Sequence, residues 1–144
     1  MRIDGIWALF DDGVRRPIIH GEIQDDQGMW VKAPFLVDTG ADRTVFSAAI
    51  LSRLGLPSMA MPEGISGVGG QAGAVIVTTQ VRLTHETTSK VAFRGQFAAV
   101  TALEALDISV LGRDIARLFA VVVDQAGNIV CLLGQRHRYL IVQD

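Results

Sequence analysis

The sequence predicts a single, all-β domain carrying one or two short helices. Three observations lead there. The chain has 144 residues, about one domain's worth. Apolar and polar residues alternate with period two over long stretches, the pattern of half-buried strands. Helix signals are confined to two short segments, with no low-complexity linker and no internal repeat.

Taken in order, residues 17–23 and 29–37 read as strands flanking Asp25-Asp26-Gln27-Gly28, a composition suited to a hairpin turn. The first helix follows at 47–54, with Ser47 as N-cap, a stop at Gly55 and Pro57 just beyond. The clearest strand comes next: Val75, Val77, Thr79, Val81 and Leu83 alternate with Ile76, Thr78, Gln80, Arg82 and Thr84. Val91, Phe93, Phe97 and Ala99 mark its neighbour, with a polar turn over 85–90. Residues 108–111 and 119–123 form two more strands, and between them Asp114 caps a helix of a turn or two. A turn over 124–128 leads to a strand at 129–133, and a short last strand spans 139–142.

Composition narrows the function. Hydrophobic residues make up 49% before the 15 glycines are counted, where 45–50% is typical with glycine included, and only 19% are charged against about 25%. Such an apolar excess suggests a surface for self-association or a partner. A net charge of −2 offers no basic field for nucleic acid. The longest aliphatic or aromatic runs are five residues, 119–123 and 129–133, so no membrane segment is expected. Residues 1–5 do not read as a signal peptide, which together with the single cysteine favours a cytoplasmic location. Cys131 sits in an aliphatic run and reads as core packing. His20, His85 and His137 lack metal-ligand spacing, so neither metal nor cofactor is expected. Met59 and Met61 read as fillers of core gaps.

Three segments carry the chemistry. The apolar strand Phe35-Leu36-Val37 runs into Asp38-Thr39-Gly40-Ala41-Asp42. A carboxylate at the end of a buried strand is costly unless hydrogen-bonded or functionally engaged. Gly40 lets the backbone turn and bring amide groups to that carboxylate, and the Thr39 hydroxyl can lock the turn. Alone, Asp-Thr-Gly is a common strand-ending turn. The second segment, residues 63–73, is glycine-rich and feeds the long strand. A phosphate loop is ruled out there, since no Lys-Ser/Thr follows and a strand rather than a helix comes next. The third is Ile108-Ser109-Val110-Leu111-Gly112-Arg113-Asp114, an apolar strand entering a helix.

Together, in this order, the three blocks resemble the retropepsin-like aspartic peptidases, the family of retroviral proteases and their cellular and bacterial relatives. The resemblance implies a closed retropepsin-like β-barrel with a flap hairpin at about 62–75. Two-lobed aspartic peptidases carry two Asp-Thr/Ser-Gly motifs on one chain; this chain has one. A symmetric homodimer is thereby implied, with Asp38 and its twin meeting on a two-fold axis. Two carboxylates about 3 Å apart do not both ionise and share one proton. The implied reaction is hydrolysis of extended polypeptide by a water activated between them. Asp38, Thr39 and Gly40 are the implied catalytic group, Thr39 clasping across the axis. Ala41, Asp42, Ile65, Ser66, Gly67 and Val68 are the implied substrate contacts. Asp42 and Arg113 are expected to form a partly buried bidentate pair, with Asp114 lending structural support. A hairpin over about 119–133 is expected at the dimer interface, the strand at 139–142 near it.

Arg43 departs from the retroviral pattern, where a second acid is common, so substrate preference does not transfer. The rival reading is a catalytically weak retropepsin-like module kept for dimerisation or peptide binding. An intact Asp38-Thr39-Gly40 argues against it.

Overall fold

The computed structural model describes residues 1–86, 88–134, 140 and 142–143. Eight strands form the main sheet: β2 (Ile6–Leu9), β3 (Arg15–Gln24), β4 (Trp30–Val37), β5 (Val45–Phe46), β6 (Ser58–Gly67), β7 (Gly70–His85), β8 (Ser89–Val100) and β9 (Ser109–Leu111). Their spatial order is β2-β3-β4-β9-β5-β8-β7-β6. A further pairing of β3 with β7, Gly21 opposite Leu83 and Ile23 opposite Val81, folds the sheet back on itself. The barrel is therefore wrapped but not closed, because β2 and β6 remain as edges. A second sheet joins β1 (Arg2–Asp4), β11 (Ile129–Leu133) and β10 (Ala120–Asp124), with β11 in the middle.

Alternation explains the core. Along β7, Val77, Val81 and Leu83 point inward and are buried, and β8 meets them with Phe97 and Ala99. Phe46 sits at the centre, stacked on Phe97 at 5.4 Å between ring centroids and edge-on to Phe35 at 6.3 Å. Each such ring contributes about 2–3 kcal/mol of burial. Cys131 is buried in the terminal sheet, as its neighbours suggested.

Helix α1 (Ala48–Leu54) is built as its sequence dictates: the Ser47 hydroxyl accepts from the Ile50 amide at 3.3 Å, and Gly55 closes it with φ of 61°. Helix α2 (Arg113–Ala116) starts two residues earlier than expected, with Gly112 rather than Asp114 at its N-cap. The Asp114 carboxylate instead faces the loop after β4. Met59 is exposed rather than a core filler, since β6 is an edge strand, while Met61 packs beside Val45, Ala98 and Val100. Strands β1, β2, β5 and β6 had no sequence signal of their own. The strand expected over 139–142 falls largely outside the described residues; Leu140 and Val142 are described, exposed and not in a strand. His137 lies outside them too. No described helix is long and apolar enough to cross a membrane.

Candidate active site

Strand β4 delivers Asp38. Phe35 and Val37 point into the core, whereas Leu36 and then Asp38 fall on the opposite face. The Asp38 amide continues the β4–β9 pairing by donating to the Leu111 carbonyl at 3.2 Å. The chain then turns: the Ala41 amide donates to the Asp38 carbonyl at 3.2 Å, and the Gly40 amide donates to Asp38 Oδ1 at 3.0 Å. One oxygen of the carboxylate is thus fixed by the backbone. Asp38 is half-buried, while Thr39 and Gly40 are exposed.

Among the described residues the Thr39 hydroxyl has no partner within the chain; it is the Thr39 carbonyl that holds the turn, accepting from Arg113 Nη1 at 2.8 Å. Arg113 Nη2 donates to Asp42 Oδ1. The expected Asp42–Arg113 pair is formed, but it is neither bidentate nor buried. The guanidinium divides its donors between Asp42 and Thr39, and in the chain its side chain is 51% exposed and that of Asp42 85%.

Thr44 anchors the far end of the loop. It is fully buried; its amide donates to both Asp114 oxygens at 2.9 Å, and its hydroxyl donates to Asp114 Oδ1 at 2.7 Å and accepts from the Gly112 amide at 3.1 Å. A side chain on Gly112 would overlap the backbone of Arg43 and come within 2.7 Å of the Thr44 nitrogen. The Ser109 hydroxyl accepts from the Ser47 amide at 3.0 Å just behind. Thr44, Ser109 and Gly112 are the site's supports that sequence reasoning missed. Nothing in the sequence pairs Thr44 with the half-buried Asp114 carboxylate; only the fold brings them together.

The glycine-rich segment forms the end of the β6–β7 hairpin. Ile65 pairs with Ala72, Ser66 with Gln71 and Gly67 with Gly70, so Val68 and Gly69 make the tip. A register shift between Met61 and Ile65 bends the hairpin, and Gly64 occupies it at φ of 63°, 2.5 Å (as an added Cβ) from the Ala72 carbonyl oxygen. Ile65 packs, half-buried, against the small cluster of Val45, Ala98 and Val100. Ser66, Gly67 and Val68 are exposed, and Val68 fully so. The structure thus brings Asp38, Thr39, Gly40, Ala41, Asp42, Arg113 and Asp114 into one loop-and-helix unit, with the hairpin residues on a separate arm.

A cavity of about 660 Å³ lies on the Asp38 face. Leu36, two residues before Asp38 and so about 7 Å along the strand, lines it with its partner Val110. Its other walls include Phe10, Leu106 and Ile108, with Asp11, Asp12, Glu104 and Asp107 against the single cation Arg16. Arg16 donates to both oxygens of Asp12 and holds its carboxyl down at about 2. No group of acidic, histidine and cysteine side chains among the described residues has the makings of a metal site.

A family model described as aspartyl protease matches residues 19–136. Among solved structures, the EIAV protease complexed with the inhibitor HBY-793 is similar with a TM-score of 0.53 and 26% identity, over 71% of this chain and 86% of that one. A retropepsin-like aspartic protease from Rickettsia conorii is similar with a TM-score of 0.59 and 20% identity, over 92% of this chain and 91% of that one. The second is a likeness of fold. None of the curated proteins compared matches the chain.

Proposed function

The chain belongs to the aspartyl protease family, and from that premise we propose that it is an aspartic endopeptidase whose active site is shared by two copies. One observation carries the reading: a half-buried Asp38 carboxylate held by the Gly40 amide, on a turn that occurs once in the sequence. A lone carboxylate supplies half of an acid–base pair. A second copy related by a two-fold axis supplies the other half.

In this reading the two Asp38 carboxyls hold one proton between them. The ionised one takes a proton from a water, whose oxygen attacks the scissile carbonyl. The protonated one donates to the developing oxyanion. Collapse of the tetrahedral intermediate passes a proton to the leaving nitrogen, and no covalent enzyme intermediate forms. Thr39 and Gly40 keep the two loops in register, Asp42 and Ala41 meet the substrate backbone, and Ile65, Ser66, Gly67 and Val68 close over it as the flap. The hairpin of β10 and β11 lies at the interface. Its exposed Val123 and Ile129, with Leu118 just before it, support that placement and give the apolar excess an address.

The test is cleavage of a mixed peptide library between about pH 3 and 7 by wild type and Asp38→Asn. Wild type is expected to cut, and the variant to lose about 10²–10⁴-fold in rate. Equal cleavage by both, or none by wild type at any pH, overturns the proposal. Specific activity is also expected to fall on dilution as dimers dissociate, with sizing of the protein as the parallel measurement.

A further inference from the structure

We infer that Arg43 sets the specificity of this cleft, selecting peptides that carry a carboxylate side chain close to the scissile bond; the inference rests on the peptidase reading above. Arg43 follows Asp38 by five residues, on the same loop. Its backbone is gripped from both sides: the Asp42 side chain before it is tied to Arg113, the Thr44 amide after it to Asp114, and Gly112 packs directly on its carbonyl. The backbone is therefore fixed while the side chain extends outward, exposed.

Its guanidinium reaches across to the root of the flap. Nη1 lies 3.9 Å from Met61 Sδ on β6, at the residue where the hairpin bends away from the body. The side chain thus spans from the catalytic loop to the root of the flap. An extended peptide lying over Asp38 beneath the flap runs past it. Among the described residues Arg43 makes no ion pair, and the adjacent acid, Asp42, already accepts from Arg113. A thioether, a weak acceptor, does not satisfy a guanidinium whose planar fork matches a carboxylate.

The surroundings add discrimination. The cavity beside Leu36 carries Asp11, Asp12, Glu104 and Asp107 against Arg16 alone, so it disfavours a substrate carboxylate there. Closure of the flap excludes water and strengthens the pair that forms. In the two-fold dimer one Arg43 stands on each side of the dyad, so acidic side chains are favoured on both sides of the cut.

The experiment compares kcat/KM for matched peptides bearing Glu, Gln or Lys at each of the positions flanking the cleaved bond, using wild type, Arg43→Lys, Arg43→Gln and Arg43→Glu. Wild type is expected to favour Glu over Gln about tenfold at one or more positions. Arg43→Lys retains a preference in that direction, Arg43→Gln loses it, and Arg43→Glu turns it toward Lys. Each ratio is taken within one preparation, so a partly folded variant does not distort it. Peptides cleaved with the same ratios by wild type, Arg43→Lys and Arg43→Gln overturn the inference and leave the peptidase reading standing. Failure of wild type to cleave any of the peptides, while it cuts others in the library, also overturns the inference alone; failure on every peptide removes the peptidase reading and the inference with it.

Discussion

The loop that carries Asp38, with Gly112 packed behind it, and the hairpin proposed to cover it both depend on glycine, yet they are built on opposite terms. Around Gly112 there is no room: a Cβ would meet the backbone of Arg43 and Thr44, and the neighbouring polar groups of Thr44, Asp114 and Arg113 are all committed. Around Gly67 and Gly69 nothing lies within 4 Å, and Val68 between them is fully exposed. In the first region glycine permits contact; in the second it permits motion. The proposed site, which would hold two carboxyls still and admit a chain beneath the hairpin, calls for one of each.

The largest effect that tests this contrast comes from Gly112→Ala. Overlap with backbone cannot be relieved by a rotamer change, so a loss of about 3 kcal/mol in denaturant unfolding is expected. A loss under about 1 kcal/mol would show that the loop yields, and the contrast would collapse. Next comes Asp114→Asn, whose amide nitrogen would confront the Thr44 donors; about 2 kcal/mol is expected by the same measurement. A third prediction concerns the stem of the hairpin, where β7 belongs to the body. Glu22 on β3 accepts from Arg82 and Lys90; burial alone would raise its carboxyl, but these cations hold it below its ordinary value of 4.5. Its contribution is therefore present above that value and is lost as pH falls through the lowered one. Glu22→Gln is expected to be less stable than wild type at pH 7, with the gap closing toward pH 3 in thermal unfolding. A gap of equal size at both pH values would remove the ion pair from the account. The smallest effect is Gly69→Ala at the hairpin tip, within about 0.5 kcal/mol of wild type. A much larger loss would mean that the tip is packed rather than free.

Much of the body was legible because its strands alternate. Val77, Val81 and Leu83 declared an inward face, and Ser47 and Gly55 bounded α1 by ordinary capping chemistry. Strands β1, β2 and β5 escaped because each has four residues or fewer, too short for a period to show. β6 escaped for another reason: as an edge strand with Pro62 and Gly64 inside it, it has no buried face to pattern. At the site, the turn at Asp38 and Gly40 could be read from the motif, and the Arg113–Asp42 contact from the family resemblance. Thr44 could not, since a threonine after an arginine looks like any loop residue until Asp114 is seen 2.7 Å from its hydroxyl. The cavity beside Leu36 was equally hidden, because its walls come from residues 10–16 and 104–110, and only folding brings them together.

The terminal sheet has a consequence for how the molecule is made. Ile3 pairs with Leu132 across β1 and β11, and the Trp7 indole donates to the carbonyls of Asp124 and Ile129, each at 3.1 Å. These contacts join residues more than a hundred positions apart in the chain, so their loop-closure entropy is met late in folding. On the ribosome the first strand waits, unpaired, until residues 131–133 have been synthesised. If the hairpin of β10 and β11 does lie between copies, the surface on which assembly depends is completed long after the loop that carries Asp38. A nascent chain would then hold Asp38 in its turn and still be unable to cut until residues 129–133 had joined the first strand.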